Sequence, residues 1–140
     1  MYTHILHATD LQENHYDLCL KSMEIANSFG ASLHLLHVIE PPASIQLAQG
    51  LGFAELAAPA KDDAQLVLKI IGESLQLPKN QQHVEIGSIK MHVFNKIHEL
   101  GCQLLIVGSH DPNHHLPAFL GSTAHAAVNH APCDVLTIRL

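Results

Sequence analysis

Short apolar runs with strand character alternate with helical segments along the whole chain, and this alternation limits the fold more than any other feature. The predicted strands cover residues 5–10, 32–39, 83–86, 104–107 and 134–138. The fourth run, Leu-Leu-Ile-Val, is continuously apolar, as is typical of a central parallel strand buried on both faces. Strands joined through helices form a parallel sheet by right-handed crossovers. The sequence therefore predicts an α/β fold: one doubly wound domain with a five-stranded parallel sheet and helices on both faces.

Capping signals define the first helix. Asn14 with Asp17 three residues later is a variant of the capping box, and Gly30 is typical of a helix end. An apolar stripe at helical spacing predicts the face that packs on the sheet: Leu18, Cys19, Met23, Ile25, Ala26 and Phe29.

Ser88 is predicted to cap a later helix that ends at Gly101. Its predicted buried face carries Ile89, Val93, Ile97 and Leu100. A further helix is predicted over residues 121–130, before the last strand.

The middle of the chain is less regular. Residues 43–60 are rich in Ala and Gly and are predicted to form a mobile loop with at most a short helical piece. Asp62 or Asp63 is predicted to open the helix that follows, which closes before Pro78.

Size and charge limit the function. With 140 residues, the chain is predicted to form one domain, residues 1–140. The net charge is −6 and the seven basic residues are scattered, which argues against a nucleic-acid surface. No signal-peptide pattern is present, and no apolar run approaches the ~18 residues of a membrane span. We therefore expect a soluble, cytoplasmic protein without nucleic-acid or membrane partners.

No catalytic residue is predicted. Cys19, Cys102 and Cys133 form no CxxC pair, and each falls in or beside an apolar stretch, so buried free thiols are expected. The third strand does not end in the aspartate of a phosphorelay receiver, and no HxGH-type element or G-x-S-x-G elbow occurs.

Thirteen histidines are the main oddity of the composition. His110, His114 and His115 share one loop at a spacing that could chelate a transition metal, but exposed loop histidines are commoner, and no metal site is predicted. The pairs His4/His7 and His34/His37 are separated by three residues along a strand, so each pair points to opposite faces. We expect these four to be paired or partly buried within the sheet.

Ligands of doubly wound sheets bind beyond the carboxyl ends of the strands. Three strand ends carry informative residues here: Thr9-Asp10, Val38-Ile39 and Val107-Gly108. Farther along, Gly121-Ser122 opens a predicted helix, where amide donors, a hydroxyl and the positive dipole end attract phosphate.

The order Gly108, Asp111, Gly121-Ser122 resembles the loop G-x2-G-x9-G-S/T of the universal stress protein family, with Asp111 in place of the second glycine. The segments ILHATD, LHLLHVIE, VEIGS and HAPCDVLTIRL also resemble that family, so the similarity spans residues 2–140. It implies a Rossmann-like fold of the adenine nucleotide alpha hydrolase type and a stress-response function.

The resemblance also implies an adenine nucleotide, ATP or AMP, with Mg²⁺ as counter-ion. Asp10 would hydrogen-bond the ribose or the adenine edge, the Val38 backbone would meet the adenine ring, and Gly108 would lie against the ribose. The phosphates would be held by Gly121, Ser122 and Thr123.

Asp111 departs from the family loop. A carboxylate about 5 Å from a phosphate charge costs roughly 3 kcal/mol at an effective dielectric constant of ~20. A divalent cation between the two would reverse the sign, and Pro112 removes a backbone donor. The alternative is a nucleotide-free, dimeric interaction module that has lost ATP binding. Slow ATP hydrolysis is a third and weaker alternative, because no residue stands out as an activated base.

Residues 134–140 predict how the chain assembles. As the last strand of a doubly wound order they should lie at the sheet edge, where unpaired backbone groups invite another strand. Arg139 is the only charge after Asp134, and no proline interrupts the segment. We expect a homodimer in which this strand meets its own copy antiparallel, as the family resemblance also implies.

Overall fold

The computed structural model describes residues 1–11, 15–52, 58–108, 127 and 129–139. Its elements are, in chain order, β1 (His4–Ala8), α1 (His15–Phe29), β2 (Ser32–Ile39), α2 (Ala43–Gly50), α3 (Ala58–Leu75), a 3₁₀ turn (Lys79–Gln81), β3 (Gln82–Ile86), α4 (Ile89–Leu100), β4 (Leu104–Gly108) and β5 (Asp134–Ile138).

The five strands form one sheet in the order β3-β2-β1-β4-β5, and all neighbouring pairs are parallel. The chain moves outward from β1 through β2 to β3 and then returns to the other side of β1 for β4 and β5. This reversal confirms the predicted doubly wound α/β fold. It leaves β3 and β5 as the two edge strands, the latter as expected.

Alternate residues of the strands contribute side chains to two apolar layers, one on each face of the sheet. Ile5, Leu33, Leu35 and Ile106 pack with α1 and α3 on one face. Leu6, Leu36, Leu105 and Val107 pack with α4 on the other. Covering both faces explains why β4 carries no polar alternation.

The first helix follows its prediction except at its end. Leu18, Cys19 and Ala26 are buried, and Gly30 follows with φ +65°. The predicted burial of Phe29 is wrong: it is 44% exposed and packs edge-on against Tyr2, with ring centroids 5.0 Å apart. The last turn of α1 lies at the edge of the sheet, where Phe29 has little apolar core to pack against. Asn14 lies outside the described residues.

The middle of the chain is more helical than predicted. Residues 43–50 form α2, in a segment predicted to be a loop with at most a short helical piece, and the amide of Gln46 donates to the Pro42 carbonyl in its first turn. The following helix, α3, begins at Ala58 and not at Asp62 or Asp63. Pro59 explains the earlier start, because proline is favoured in a first helical turn, where its missing N–H has no intrahelical partner anyway.

Helix α4 confirms the predicted signals. The Ser88 hydroxyl accepts from the Met91 amide at 3.4 Å, and Gly101 adopts the left-handed conformation at the other end. Val93 and Ile97 are buried as expected. Of the predicted helix 121–130, Ala127, Asn129 and His130 are described and are helical. Within the described part of the chain, no helix is long and apolar enough to cross a membrane.

Candidate functional site

The winding direction reverses at β1, which pairs with β2 on one side and β4 on the other. Ala8, the last residue of β1, lies opposite Leu36 of β2 and Val107 of β4. Asp10, Val38 and Gly108 each come one or two residues beyond this level. The structure therefore brings these three predicted site residues to the same end of three neighbouring strands. Their roles toward a ligand stay predictions.

Thr9 fixes the turn that carries Asp10. Its amide donates to the Leu36 carbonyl at 2.8 Å, which ties the end of β1 to β2. Its hydroxyl accepts from the Leu11 amide at 3.2 Å, and Leu11 has a left-handed φ of +56°. Such hydroxyl-to-backbone turns are a common use of threonine outside helices and strands. The exposed Asp10 therefore lies in a turn that is fixed on both sides.

His37 is a second support that the sequence did not reveal. Its Nδ1 lies 2.9 Å from the Thr9 carbonyl oxygen. Because a carbonyl only accepts, this ring nitrogen carries the proton. The sequence pattern predicted pairing within the sheet for this histidine but gave no partner, since the contact crosses from β2 to the loop after β1.

Val38 offers its backbone and not its side chain. The side chain is 8% exposed and packs in the apolar layer beneath α4. In a parallel strand, the N–H and C=O of one residue point to the same neighbour, and successive residues alternate. The Leu36 carbonyl faces β1, where it accepts from Thr9. The Val38 N–H and C=O therefore point to the same side, where β1 has already turned away.

Gly108 has a packing role that was not predicted. A Cβ atom placed on it would lie 2.7 Å from Cδ1 of Leu18, a buried residue of α1. Glycine at the end of β4 thus allows the first turns of α1 to sit closely against the sheet. The same contact brings the amino end of α1, with its positive dipole, to the carboxyl end of the strands.

A cavity of about 440 Å³ opens beside this region, beyond the ends of β2 and β3. It is lined by Glu40, Pro41, Gln46, Ile86, Gly87 and Ser88. The Gly87 amide donates to the Ile39 carbonyl at 2.9 Å, and His92 Nε2 donates to the Ile86 carbonyl at 3.0 Å. These bonds shape one wall. Its volume falls within the range of small-molecule sites. The sequence does not reveal this cavity, because its opposite wall is α2, which lies in a segment predicted to be a loop with at most a short helical piece.

The remaining predicted site residues, Asp111, Gly121, Ser122 and Thr123, lie outside the described residues. The same holds for Pro112 and for the loop histidines His110, His114 and His115. Where the structure does describe side chains, no group of three or more His, Cys, Asp or Glu residues is arranged to hold a metal ion.

The cysteines match the prediction of free thiols. Burial raises the pKa of Cys19 to about 12 and that of Cys102 to about 11. Cys133 is half-buried, and burial also raises its pKa. Since thiolates are the nucleophilic form, these environments do not favour cysteine chemistry at neutral pH.

Comparison with known proteins finds relatives that match nearly the whole chain. The profile of the universal stress protein family matches residues 1–139. Universal stress protein A homolog 1 of Coxiella burnetii is 32% identical over 142 residues, which cover 98% of this chain and 96% of that protein. Universal stress protein UspA of Lactobacillus plantarum, a solved structure, is 26% identical with a TM-score of 0.68, covering 99% of this chain and 98% of that one.

A universal stress protein solved in complex with cAMP has the same fold, with a TM-score of 0.66 at 17% identity, and covers 99% of this chain and 97% of that one. Family profile, sequence relatives and fold all give the same assignment. This chain belongs to the universal stress protein family.

Proposed function

We propose that this protein binds an adenine nucleotide beyond the carboxyl ends of β1, β2 and β4, and that it acts as a regulatory binding protein in a stress response. The observation that carries the proposal is the direction of the Val38 N–H and C=O. They present a donor and an acceptor side by side to the space that β1 leaves when it turns away.

An adenine edge has the matching pattern, an exocyclic amino donor next to a ring-nitrogen acceptor. Asp10, in its turn beside this space, accepts from ribose hydroxyls, and Gly108 forms the opposite border of the space. The amino end of α1 adds a favourable potential for the negative phosphates. One universal stress protein of the same fold was solved in complex with a nucleotide, cAMP.

In this proposal, the phosphate groups are bound by Gly121, Ser122 and Thr123 through backbone amides and hydroxyls. Asp111 sets the affinity. Its repulsion of about 3 kcal/mol is equivalent to about two decades in Kd, unless Mg²⁺ bridges the carboxylate and a phosphate. Asp111 is also the observation that favours the second candidate, a nucleotide-free interaction module.

Calorimetric titration with ATP and AMP, with and without Mg²⁺, separates the two candidates. We expect saturable binding that weakens about tenfold or more in Asp10→Ala, because a ribose partner is lost. Asp62→Ala is the matched control, since it removes a carboxylate from α3, and it should bind as the wild type does. No binding of either nucleotide under any of these conditions would leave the interaction module as the function.

Asp111→Gly tests the loop directly. If the carboxylate faces the phosphates, the variant should bind ATP more tightly without Mg²⁺, by up to about two decades. Weaker binding in the presence of Mg²⁺ would instead assign Asp111 to a cation bridge. Unchanged affinity with and without Mg²⁺ would contradict a role for Asp111 at the phosphates.

We further propose a homodimer formed through β5. This strand is at the sheet edge, and Leu136 on it is 37% exposed. Sedimentation should show a dimer at tens of micromolar and a monomer for Thr137→Pro, which deletes a backbone donor. Thr137→Val keeps the donor and should remain dimeric. If circular dichroism shows that the proline variant is unfolded, Leu136→Lys gives the same test, and a monomeric wild type refutes the dimer.

A further inference from the structure

Three histidines from neighbouring strands meet beneath α4. They are His4 of β1, His34 of β2 and His83 of β3. The register places Leu6 opposite His34 and Leu36 opposite His83, so all three imidazoles lie on the face that α4 covers. His34 Nδ1 is 3.1 Å from His83 Nε2, and these rings are stacked with centroids 5.4 Å apart. The His4 ring centroid lies 6.2 Å from that of His34.

A buried cation covers this cluster. Lys96 of α4 is only 7% exposed, and its Nζ lies 3.1 Å from Glu99 and 3.5 Å from Glu85. Glu85 belongs to β3, so this ion pair joins α4 to the edge strand next to His83. On the same face Cys102 is a neutral thiol, because burial raises its pKa to about 11.

The surroundings favour the neutral form of two of these imidazoles, those of His34 and His83. Burial lowers the pKa of His34 to about 4, and His83, His4 and Lys96 add to this effect. Burial and Lys96 also lower the pKa of His83, although Glu99 and Glu85 oppose this. The Nδ1 atom of His4 is buried and has no hydrogen-bond partner in the described part of the chain.

We propose that His34 and His83, with His4 packed beside them, form an acid-sensitive latch, which holds α4 on the sheet while His34 and His83 are neutral and releases it when both are protonated. The contact between His34 Nδ1 and His83 Nε2 needs one nitrogen with a proton and one without. A single added proton, on His83 near the two carboxylates, preserves this arrangement. A second proton, on His34, turns both nitrogens into donors and breaks the bond directly beneath Lys96.

The direction of the pH effect follows from the same geometry. His34 binds a proton more weakly in the folded protein than when exposed. The stability that it contributes is therefore complete above about pH 6.5 and is lost as the pH falls toward 4. Protonation favours any state in which α4 has moved away and the imidazoles meet water.

The latch is connected to the carboxyl ends of the strands through α4 itself. Ser88, which caps α4, and Gly87 before it line the cavity beyond β2 and β3. Release of α4 therefore moves one wall of that cavity. The latch does not depend on the identity of any ligand, and its test uses none.

Hydrogen exchange measured by mass spectrometry between pH 7 and pH 5, corrected for intrinsic rates, tests the latch. Peptides from α4 should lose protection by about twentyfold relative to α3 peptides, because a pKa shift from 6.5 to about 4 favours the open form by that factor. Helix α3 is the reference because α1 contacts His7, which is itself acid-sensitive. The variant His34→Leu/His83→Gln should show no such relative loss. His98→Gln, an exposed change on α4, should behave as the wild type does.

Equal loss in α3 and α4 of the wild type, or an unchanged relative loss in the double variant, would overturn the proposal. If circular dichroism at pH 7 shows that the double variant is unfolded, Lys96→Met replaces it. Removing the cation that opposes protonation should reduce the relative loss in α4, although by less than the double variant does, because burial is the larger cause of both pKa shifts. A relative loss in Lys96→Met equal to that of the wild type would equally refute the latch.

Discussion

His7 lies on the other face of the sheet, and we expect its burial to make the fold sensitive to acid. It has no exposed surface, its Nδ1 is 2.8 Å from the Ser22 hydroxyl, and its Nε2 is buried without a hydrogen-bond partner among the residues described. Burial lowers the pKa of His7 to about 4, against a small opposing effect of Asp10. The perturbation that we consider is the paired replacement His7→Leu/Ser22→Ala, which removes both polar partners together.

The magnitude follows from proton linkage. An exposed His7 in the unfolded chain has a pKa of 6.5, whereas the folded value is about 4, so acid favours the unfolded state. The contribution of neutral His7 is complete above about pH 6.5 and is lost as the pH falls toward 4. Between pH 7 and pH 5 the expected loss in the free energy of unfolding is about 2 kcal/mol.

Urea unfolding of wild type and variant at pH 7 and pH 5 measures this difference. We expect the variant to lose about 2 kcal/mol less than the wild type over this interval. The other titrating groups, His34 included, are common to both proteins and cancel in the comparison. At pH 7 the two should be similar in stability, because a hydrogen-bonded pair is replaced as a unit.

His130→Gln is the control, since it removes an exposed histidine and should leave the pH dependence unchanged. An equal loss of stability in the wild type and in His7→Leu/Ser22→Ala would show that His7 is not held neutral by burial, and the reasoning would fail.

Three further changes test the packing around the strand ends, each measured by urea unfolding at pH 7. Gly108→Ala should cost about 1–3 kcal/mol, because its Cβ would meet Leu18 Cδ1 at 2.7 Å, and Leu18→Ala in the same chain should recover part of the clash. Gly87→Ala should cost about 2 kcal/mol, since φ is +142° and the new Cβ would lie 2.7 Å from His92 Nε2. Ser88→Ala should cost about 1 kcal/mol through loss of the helix cap, and stability equal to wild type in any of the three would contradict the corresponding contact.

The fold could be predicted because its signals are local. Apolar runs mark the strands, Ser88 and Gly101 mark the ends of α4, and alternation of strands with helices implies the doubly wound order. The errors also have local causes. Pro59 was not recognised as part of a first helical turn, and Phe29 continues an apolar stripe past the point where the sheet can cover it.

For the candidate site, the fold alone predicts only the residues that lie at strand ends. Asp10, Val38 and Gly108 follow from the rule that ligands bind beyond the carboxyl ends of parallel strands. His37 and its bond to Thr9 could not be found in this way, because that contact depends on the strand register and no sequence pattern encodes it. The same limit applies to the histidine cluster, whose members are far apart in sequence and meet only across strands.

The two edges of the sheet differ in a way that limits growth by strand addition. A β5 edge that joined the β3 edge of another molecule would leave the opposite edges free, and copies could add without end into a filament. β3 discourages this, because three of its five residues are Gln82, His83 and Glu85, and Glu85 is paired with Lys96. β5 offers the run Val135–Ile138, which contains no charge. Because β5 is better suited to pairing than β3 among the described residues, we expect association through the edges to close at two copies and not to polymerise.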